Sequence, residues 1–345
     1  MSWARAFELL QDNLNLTEEI SRELMRDILD GKANNEELKR LLLALRDKGE
    51  TAEEVGAFVT EMYEHSSPIT IKKRAVDIVG TGGDQANTIN ISTMSAIVAA
   101  AAGAVVVKHG NRAASSKSGS ADLLEALGVN ISLDGAGVAV CVEDLNIGFC
   151  FAPVFHPAMR HAGPARKELG VPTVFNILGP LANPAKPTSA SIGVANDRMH
   201  LLMAEVLGNR GVQGFVYRGD DGLDELTIST TTQVLTIGNG EIESGVIDPP
   251  SLGIPYSPIE ELIGGDANFN AGIARSVFAG ESGAPRNAVL LNSASAISAY
   301  TNDVEFDLQS RFEAGIDAAK QAIDSGAAMD LLERWVKTSQ DLARA

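Results

Sequence analysis

Cysteine is nearly absent from these 345 residues: there are two, Cys141 and Cys150, each in apolar company (AVCVED and GFCFAP). Two such residues cannot build a disulfide framework, and their spacing is not that of a zinc site. Both read as reduced core residues. Long apolar runs are missing as well. No stretch of 18 apolar residues occurs, and no charged region followed by an apolar one opens the chain, so neither a membrane span nor a secretory leader is expected. The expectation is a cytoplasmic protein with no membrane partner. Cations are scarce: 28 Lys and Arg stand against 45 Asp and Glu, a formal charge of -17. A non-specific nucleic-acid binder would carry the opposite sign, so no nucleic-acid partner is expected. An anionic substrate would need a local cationic pocket to overcome that field.

What is present is a hydrophobic fraction of 45%, enough for a sizeable core in one large domain and a smaller one. The first seventy residues read as three short amphipathic helices. Thr17 precedes the first, which ends at Gly31. Asn34 or Asn35 caps the second, stopped by Gly49. Thr51 and Glu54 form a capping box for the third, and Pro68 breaks the pattern. From Ala75 the grammar changes to short apolar strands (AVDIV, AVVVKHG, GFCFA, SASIGVA, GFVYRG, TQVLTIG) alternating with helices such as STMSAIVAAAAG and ADLLEALG. That alternation predicts a mainly parallel α/β sheet. The boundary is expected near residue 72: a small helical domain over 1–72, joined by part of about 163–190, and a large α/β domain over 73–345.

Four segments carry chemistry. Gly80, Gly82 and Gly83 follow a predicted strand, where a glycine nest before a helix start makes a phosphate site. Gln85 stands where a dinucleotide fingerprint needs its third glycine. The second segment, KHGNRAASSKSGSAD, places Lys108 and His109 at a strand's carboxyl end, followed by Arg112 and the hydroxyls of Ser115, Ser116 and Ser120. The third, RGDDGLDELT, gathers four carboxylates around a glycine turn, a composition suited to an oxygen-seeking cation such as Mg2+. The fourth, FHPAMRHAGPARKELG, holds His156, Arg160, His161, Arg166 and Lys167. An arginine there suits a carboxylate by its bidentate fork, but residue types alone do not choose among these cations.

Taken together, GTGGD, NIST, KHGNRAASS, GSADLLEALG, HPAMRHAGPARKELG, FNILGPLANP and DGLDE resemble the anthranilate phosphoribosyltransferases, as do GGDANFNA and RNAVLLNSA near the end. The likeness covers nearly the whole chain. It implies a small N-terminal helical domain hinged to a large α/β domain, a nucleoside-phosphorylase-like, class III phosphoribosyltransferase fold. It implies transfer of the phosphoribosyl group of 5-phosphoribosyl 1-pyrophosphate to the amine of anthranilate, the second step of tryptophan biosynthesis from chorismate. Mg2+, two ions per subunit, and a homodimer through the helical domain are implied with it.

Carried over by this resemblance, Gly80, Gly83, Asp84, Thr88, Asn90, Ile91, Ser92 and Thr93 contact the phosphoribosyl donor. So do Lys108, His109, Gly110, Asn111, Arg112, Ala113, Ala114, Ser115, Ser116 and Ser120. Ser92, Asp224 and Glu225 match metal ligands. Gly80, Asn111 and Arg166 match contacts to anthranilate, and His109, His156 and Pro180 match positions lining its channel. Lys108, Asn111 and Arg166 are the expected catalytic groups, with Lys108 stabilising the leaving pyrophosphate. The chain departs from the family at Gln85, usually glycine, at Ile89, often phenylalanine, and at Phe269, often glutamate. Two other readings share the fold: a nucleoside phosphorylase, and a non-catalytic nucleic-acid-binding relative. The first lacks its base-reading pattern here, and the second sits badly with the net charge and with Asn111 and Arg166.

Overall fold

The computed structural model describes residues 2–113 and 117–344. Caps and apolar spacing build the first helices. α1 (Ser2–Gln11) was not among the three expected; it buries Ala6 and Leu10. α2 (Glu18–Leu29) starts where the Thr17 hydroxyl accepts the Ile20 N–H, with Glu18 and Glu19 beside the positive helix end. α3 (Asn35–Lys48) is capped by Asn34, which accepts from the Glu36 N–H at 2.8 Å, and stops at Gly49 in the left-handed half of backbone space (φ 94°). α4 (Ala52–Glu64) has the capping box expected of Thr51 and Glu54.

Alternation then sets in: β1 (Val76–Gly80), α5 (Ile91–Ala101), β2 (Val106–Gly110), α6 (Ser120–Leu127), α7 (Gly135–Leu145) and β3 (Ile147–Phe151). A helical excursion follows, with α8 (Ala152–Phe155), a tight turn over Pro157–Ala162, α9 (Gly163–Leu169) and α10 (Phe175–Leu181). β4 (Ser189–Gly193), α11 (Asp197–Asn209), β5 (Gln213–Gly219), β6 (Thr232–Gly238) and β7 (Glu241–Ile247) complete the described strands. The chain ends in α12 (Ala267–Phe278), α13 (Ala284–Thr301), α14 (Leu308–Asp324) and α15 (Ala327–Leu342). Among the described residues no helix is long and apolar enough to cross a membrane.

The sheet runs β3-β2-β1-β4-β5-β6-β7; the first five strands are parallel, and β6 and β7 add an antiparallel edge. β7 had no signal in the sequence because Glu241, Glu243 and Ser244 keep it wet, as suits an edge strand. Side chains alternate between two cores. Phe215 and Tyr217 of β5 face the core formed with α5, α13 and α14, whereas Val216 faces the other. That second core unites one sheet face and α11 with α1–α4, α9 and α10, so the helical bundle and the sheet share apolar packing.

The strand order fixes where a ligand can sit. β1 is followed outward on one side by β2 and β3, and β4 and β5 lie on the other. The direction reverses between β1 and β4, and a crevice opens beyond the carboxyl ends of such strands. Gly80 and Gly193, the last residues of β1 and β4, pair across that point.

Candidate active site

At the switch point the segment carrying Asp224 and Glu225 crosses over the ends of β1 and β4. A β-carbon on Gly80 would lie 2.9 Å from the Asp224 Cγ and backbone oxygen, and one on Gly193 would collide with the Asp224 carbonyl. Glycine is required at both positions by close approach. Asp224 Oδ2 accepts the Gly82 N–H at 2.6 Å, and Glu225 Oε1 accepts the Ser92 N–H at 3.1 Å in the first turn of α5. The second Glu225 oxygen, Oε2, is buried without a partner. Asp220 and Asp221 are occupied elsewhere: Asp220 accepts from Gln233 (3.1 Å) and Asp221 from Thr227 (2.6 Å). Of the four carboxylates in the motif, Asp224 and Glu225 thus face the glycine loop.

Burial resists ionisation of this pair. Asp224 is pushed well above the usual carboxylate range by desolvation and by the charges of Asp84 and Glu225. Glu225 is raised to about 7, mainly by burial, against the attraction of Lys108. A divalent cation would relieve both costs. Among the described residues no three His, Cys, Asp or Glu side chains could cage a metal by themselves. An orphaned Glu225 oxygen beside Asp224 therefore fits an ion that takes its remaining oxygens from substrate phosphates and water, the habit of Mg2+.

Lys108 differs from expectation. Its ammonium is 1% exposed and points inward, donating to the Ile78 carbonyl and to Ser92 Oγ (3.2 Å). Asp77, Glu225 and Asp224 draw the cation beneath the pair, while burial lowers its pKa. Its attraction partly offsets the burial of Glu225, and its donors are spent on Ile78 and Ser92. Arg112 also differs: it is paired with Asp122 (3.0 Å) and Glu125, so its charge is already matched.

The glycine loop does not lead straight into a helix, as expected. Asn90 precedes α5 without capping it. Asp84 turns the chain by accepting from the Ala86 N–H at 3.2 Å, and Thr88 bridges Ile263. Gln85 lies at φ 60°: the turn needs left-handed backbone, which glycine adopts without strain. Ile91 and Thr93 are buried in α5, whereas Ser92 faces Glu225. After β2, Asp122 gathers the next loop by accepting the Ala113 and Gly119 N–H groups at 3.0 and 2.8 Å, with Ser120 opening α6. Asn111 is exposed and its Oδ1 accepts the Arg112 N–H. Ala114, Ser115 and Ser116 lie outside the described residues.

Of the residues expected to meet the acceptor, His109, His156, Pro180 and Arg166 lie around α10, while Gly80 ends β1 and Asn111 follows β2. His109 Nδ1 bonds the Gly179 carbonyl at 2.9 Å and His156 Nε2 the Ala182 carbonyl at 2.8 Å, on either side of buried Pro180. The two rings stand 5.2 Å apart. Burial, with His156 nearby, pushes His109 down to about 3, and burial lowers His156 as well, so both imidazoles are neutral at pH 7. Arg166, on α9, sets its guanidinium 5.7 Å from the centre of the Phe175 ring. Arg160, Arg166 and Lys167 are all exposed, and His161 packs against Gly31.

Sequence reasoning missed two polar residues here. Asp77, buried in β1, accepts from the His109 N–H (3.2 Å) and from Asn183 (2.8 Å), and Asn183 also donates to the Val107 carbonyl. The pair ties β1, β2 and the chain after α10 together. The signal was a lone carboxylate in the apolar run AVDIV.

Known proteins match this arrangement over its length. Residues 5–66 match the helical bundle domain and residues 72–329 the a/b domain of a glycosyl transferase family. An anthranilate phosphoribosyltransferase of Saccharopolyspora erythraea is 52% identical over 343 residues, covering 99% of this chain and 97% of that protein. The Thermus thermophilus anthranilate phosphoribosyltransferase structure superposes with a TM-score of 0.90 at 40% identity, covering 97% of this chain and 99% of that one. A Saccharomyces cerevisiae anthranilate phosphoribosyltransferase, solved with PRPP and Mg, superposes at 0.84 with 27% identity and 98% coverage of both chains. With half its residues shared along its full length and the same two-part architecture, this chain belongs to the anthranilate phosphoribosyltransferase family.

Proposed function

We propose that the crevice at the β1–β4 switch point is where this pentosyltransferase moves the phosphoribosyl group of 5-phosphoribosyl 1-pyrophosphate onto the amine of anthranilate. The observation that carries this reading is the buried Asp224–Glu225 pair, with Asp224 on the glycine loop and Glu225 at the first turn of α5, its second oxygen unpartnered. The bond between the anomeric carbon and the pyrophosphate oxygen breaks, a carbon–nitrogen bond forms, and the amine's proton passes to water. The products are N-(5-phosphoribosyl)anthranilate and pyrophosphate. The aniline nitrogen is neutral at pH 7, so attack needs positioning more than a strong base.

Each group has a task in this reading. Backbone N–H groups of the loop Gly80–Thr93 and of the loop from Lys108 to Ser120 hold the donor's phosphates. Asp224, Glu225 and the Ser92 hydroxyl would hold Mg2+, two ions per subunit; that a yeast relative was solved with PRPP and Mg supports the use of this ion. When bound, Mg2+ draws charge from the leaving pyrophosphate. Lys108 lowers the cost of ionising Glu225 from nearby. Arg166 and Asn111 orient the anthranilate carboxylate. His109, His156 and Pro180 offer the aromatic ring a wall of uncharged groups, and a Saccharomyces cerevisiae relative was solved with 4-fluoroanthranilate.

The domain division belongs to the same proposal: residues 1–72 with part of about 163–190 form the acceptor side, and 73–345 the donor side. Its support is that α9 is tied to α3, where Lys39 and Asn35 bind Glu168 at 2.7 and 3.1 Å. A homodimer through the helical domain accounts for Leu14, which is 51% exposed after α1; sedimentation at rising concentration checks it. The activity test follows the loss of anthranilate fluorescence with donor and Mg2+. Turnover is expected there and none with a nucleoside and phosphate; the reverse pattern would replace this reading with the phosphorylase.

A further inference from the structure

The segment Gly264–Asn270 has no role in the reaction as described, yet it closes against the second half of the donor loop. The Ile89 N–H donates to the Leu262 carbonyl and the Gly264 N–H to the Asn87 carbonyl, each at 2.8 Å, and Thr88 bridges Ile263. A β-carbon on Gly264 would stand 2.8 Å from the Thr88 carbonyl oxygen and 3.0 Å from the Ile89 nitrogen. Only a residue without a side chain lets the two backbones lie so close.

Asn270 makes the deepest connection. It is 1% exposed, in the first turn of α12. Its Nδ2 donates to Asn90 Oδ1 at 2.8 Å, and its Oδ1 accepts the Gly265 N–H at 2.8 Å. Asn90 passes the connection on, donating from Nδ2 to the Ser118 carbonyl at 2.9 Å and accepting from the Ser118 hydroxyl at 3.3 Å. One relay of amides thus joins the donor loop, the loop after β2 and the start of α12. Upstream in the same donor loop, β-carbons on Gly82 and Gly83 would meet nothing within 4 Å. The first half of the loop is anchored on Gly193 and Asp224 with open space beside its glycines, and the second half is closed over by this segment.

We propose that Asn270 is a positioning residue for the phosphoribosyl donor: through Asn90 it fixes the start of α5 and the loop after β2 in one register, so that both meet the same polyphosphate. This rests on the assignment of those loops to the donor. A ligand that spans two loops loses more affinity when their relative placement loosens than an acceptor that meets Asn111 alone of those loops and is otherwise held around α10.

The test compares Asn270→Ala and Asn270→Ser with Ala274→Gly, a buried change one turn along α12 that does not touch Asn90. Loss of one buried amide bond corresponds to a donor KM raised about tenfold. Both Asn270 variants should show that rise, with a clearly smaller rise in the anthranilate KM, since the acceptor meets that loop only at Asn111. Ala274→Gly should lower Tm without changing the ratio of the two KM values. Hydrogen exchange in the absence of ligand should quicken at residues 88–92 and 118–120 in Asn270→Ala alone. Equal KM changes in the two classes of variant, or unchanged exchange at both loops, would overturn the proposal. If the wild type fails to turn over donor and anthranilate, the functional reading falls, and the exchange result still decides whether Asn270 couples the loops.

Discussion

A single methyl group at Gly193 should disable this enzyme out of proportion to its size. Gly193 ends β4, and the obstructing atoms above it are the Asp224 carbonyl group and, at 3.0 Å, the Glu225 nitrogen. These are backbone atoms, so no side-chain rotation relieves the clash. The crossing segment must retreat by about 1–2 Å, and overpacking of this kind costs about 1–3 kcal/mol. The retreat moves both carboxylates, and a displacement near 1 Å in a reacting constellation lowers turnover by about 100-fold. The assay is Tm together with Mg2+-dependent anthranilate consumption by Gly193→Ala. Gly272→Ala is the comparison: it lies in α12, its β-carbon would meet nothing within 4 Å, and replacing a helix glycine gains up to about 1 kcal/mol. The two substitutions should therefore act with opposite sign on stability. Wild-type Tm and turnover in Gly193→Ala would refute the idea that the crossing sets the site.

The other predictions concern charge and motion. Burial raises Asp77 to about 6 from an ordinary value of 3.8. The folded protein thus holds this proton more tightly than the unfolded chain, and the contribution, about 3 kcal/mol, is complete below pH 4 and lost as pH rises through 6. The Tm difference between wild type and Asp77→Asn should shrink or reverse from pH 4.5 to 6.5; a difference flat with pH would contradict the burial argument. Arg166→Ala should raise the anthranilate KM by roughly one to two decades and the donor KM less, with Arg160→Ala weaker on both; exchanged ranks would move the acceptor site. Donor with Mg2+ should protect residues 80–93 from hydrogen exchange, and anthranilate should extend protection toward Arg166. Protection confined to one side with both ligands bound would reject closure of the two parts over the substrates.

Much of this was readable from one chain because local chemistry announces itself. Thr51 and Glu54 cap α4 through their own neighbours, and Gly49 ends α3 by the backbone angle that glycine tolerates. The loops proposed for the donor's phosphates stood out because glycine and hydroxyls crowd where a core would use bulk. What stayed hidden depends on partners far along the chain. Gly80 and Gly193 look like ordinary strand ends until Asp224 is seen to cross them. Lys108 and Arg112 looked alike as free cations, yet one is drawn beneath Asp224 and Glu225 and the other is matched by Asp122 and Glu125. Asp77 carries no spacing signal, since its partners are His109 and Asn183 on other segments. Gln85 was noticed as a departure, but that its position needs left-handed backbone is visible only in the dihedral angle.

The central claim is that Asp224 and Glu225 hold a divalent ion together with a polyphosphate. Mn2+ replaces Mg2+ at oxygen sites and gives a resonance signal that weakens on binding. Titrating Mn2+ with pyrophosphate into the wild type and into Asp224→Asn with Glu225→Gln measures that binding without turnover. The account predicts protein-bound Mn2+ in the wild type that depends on pyrophosphate and is lost in the double variant while its Tm and fold persist. Equal Mn2+ binding by the two proteins would contradict it.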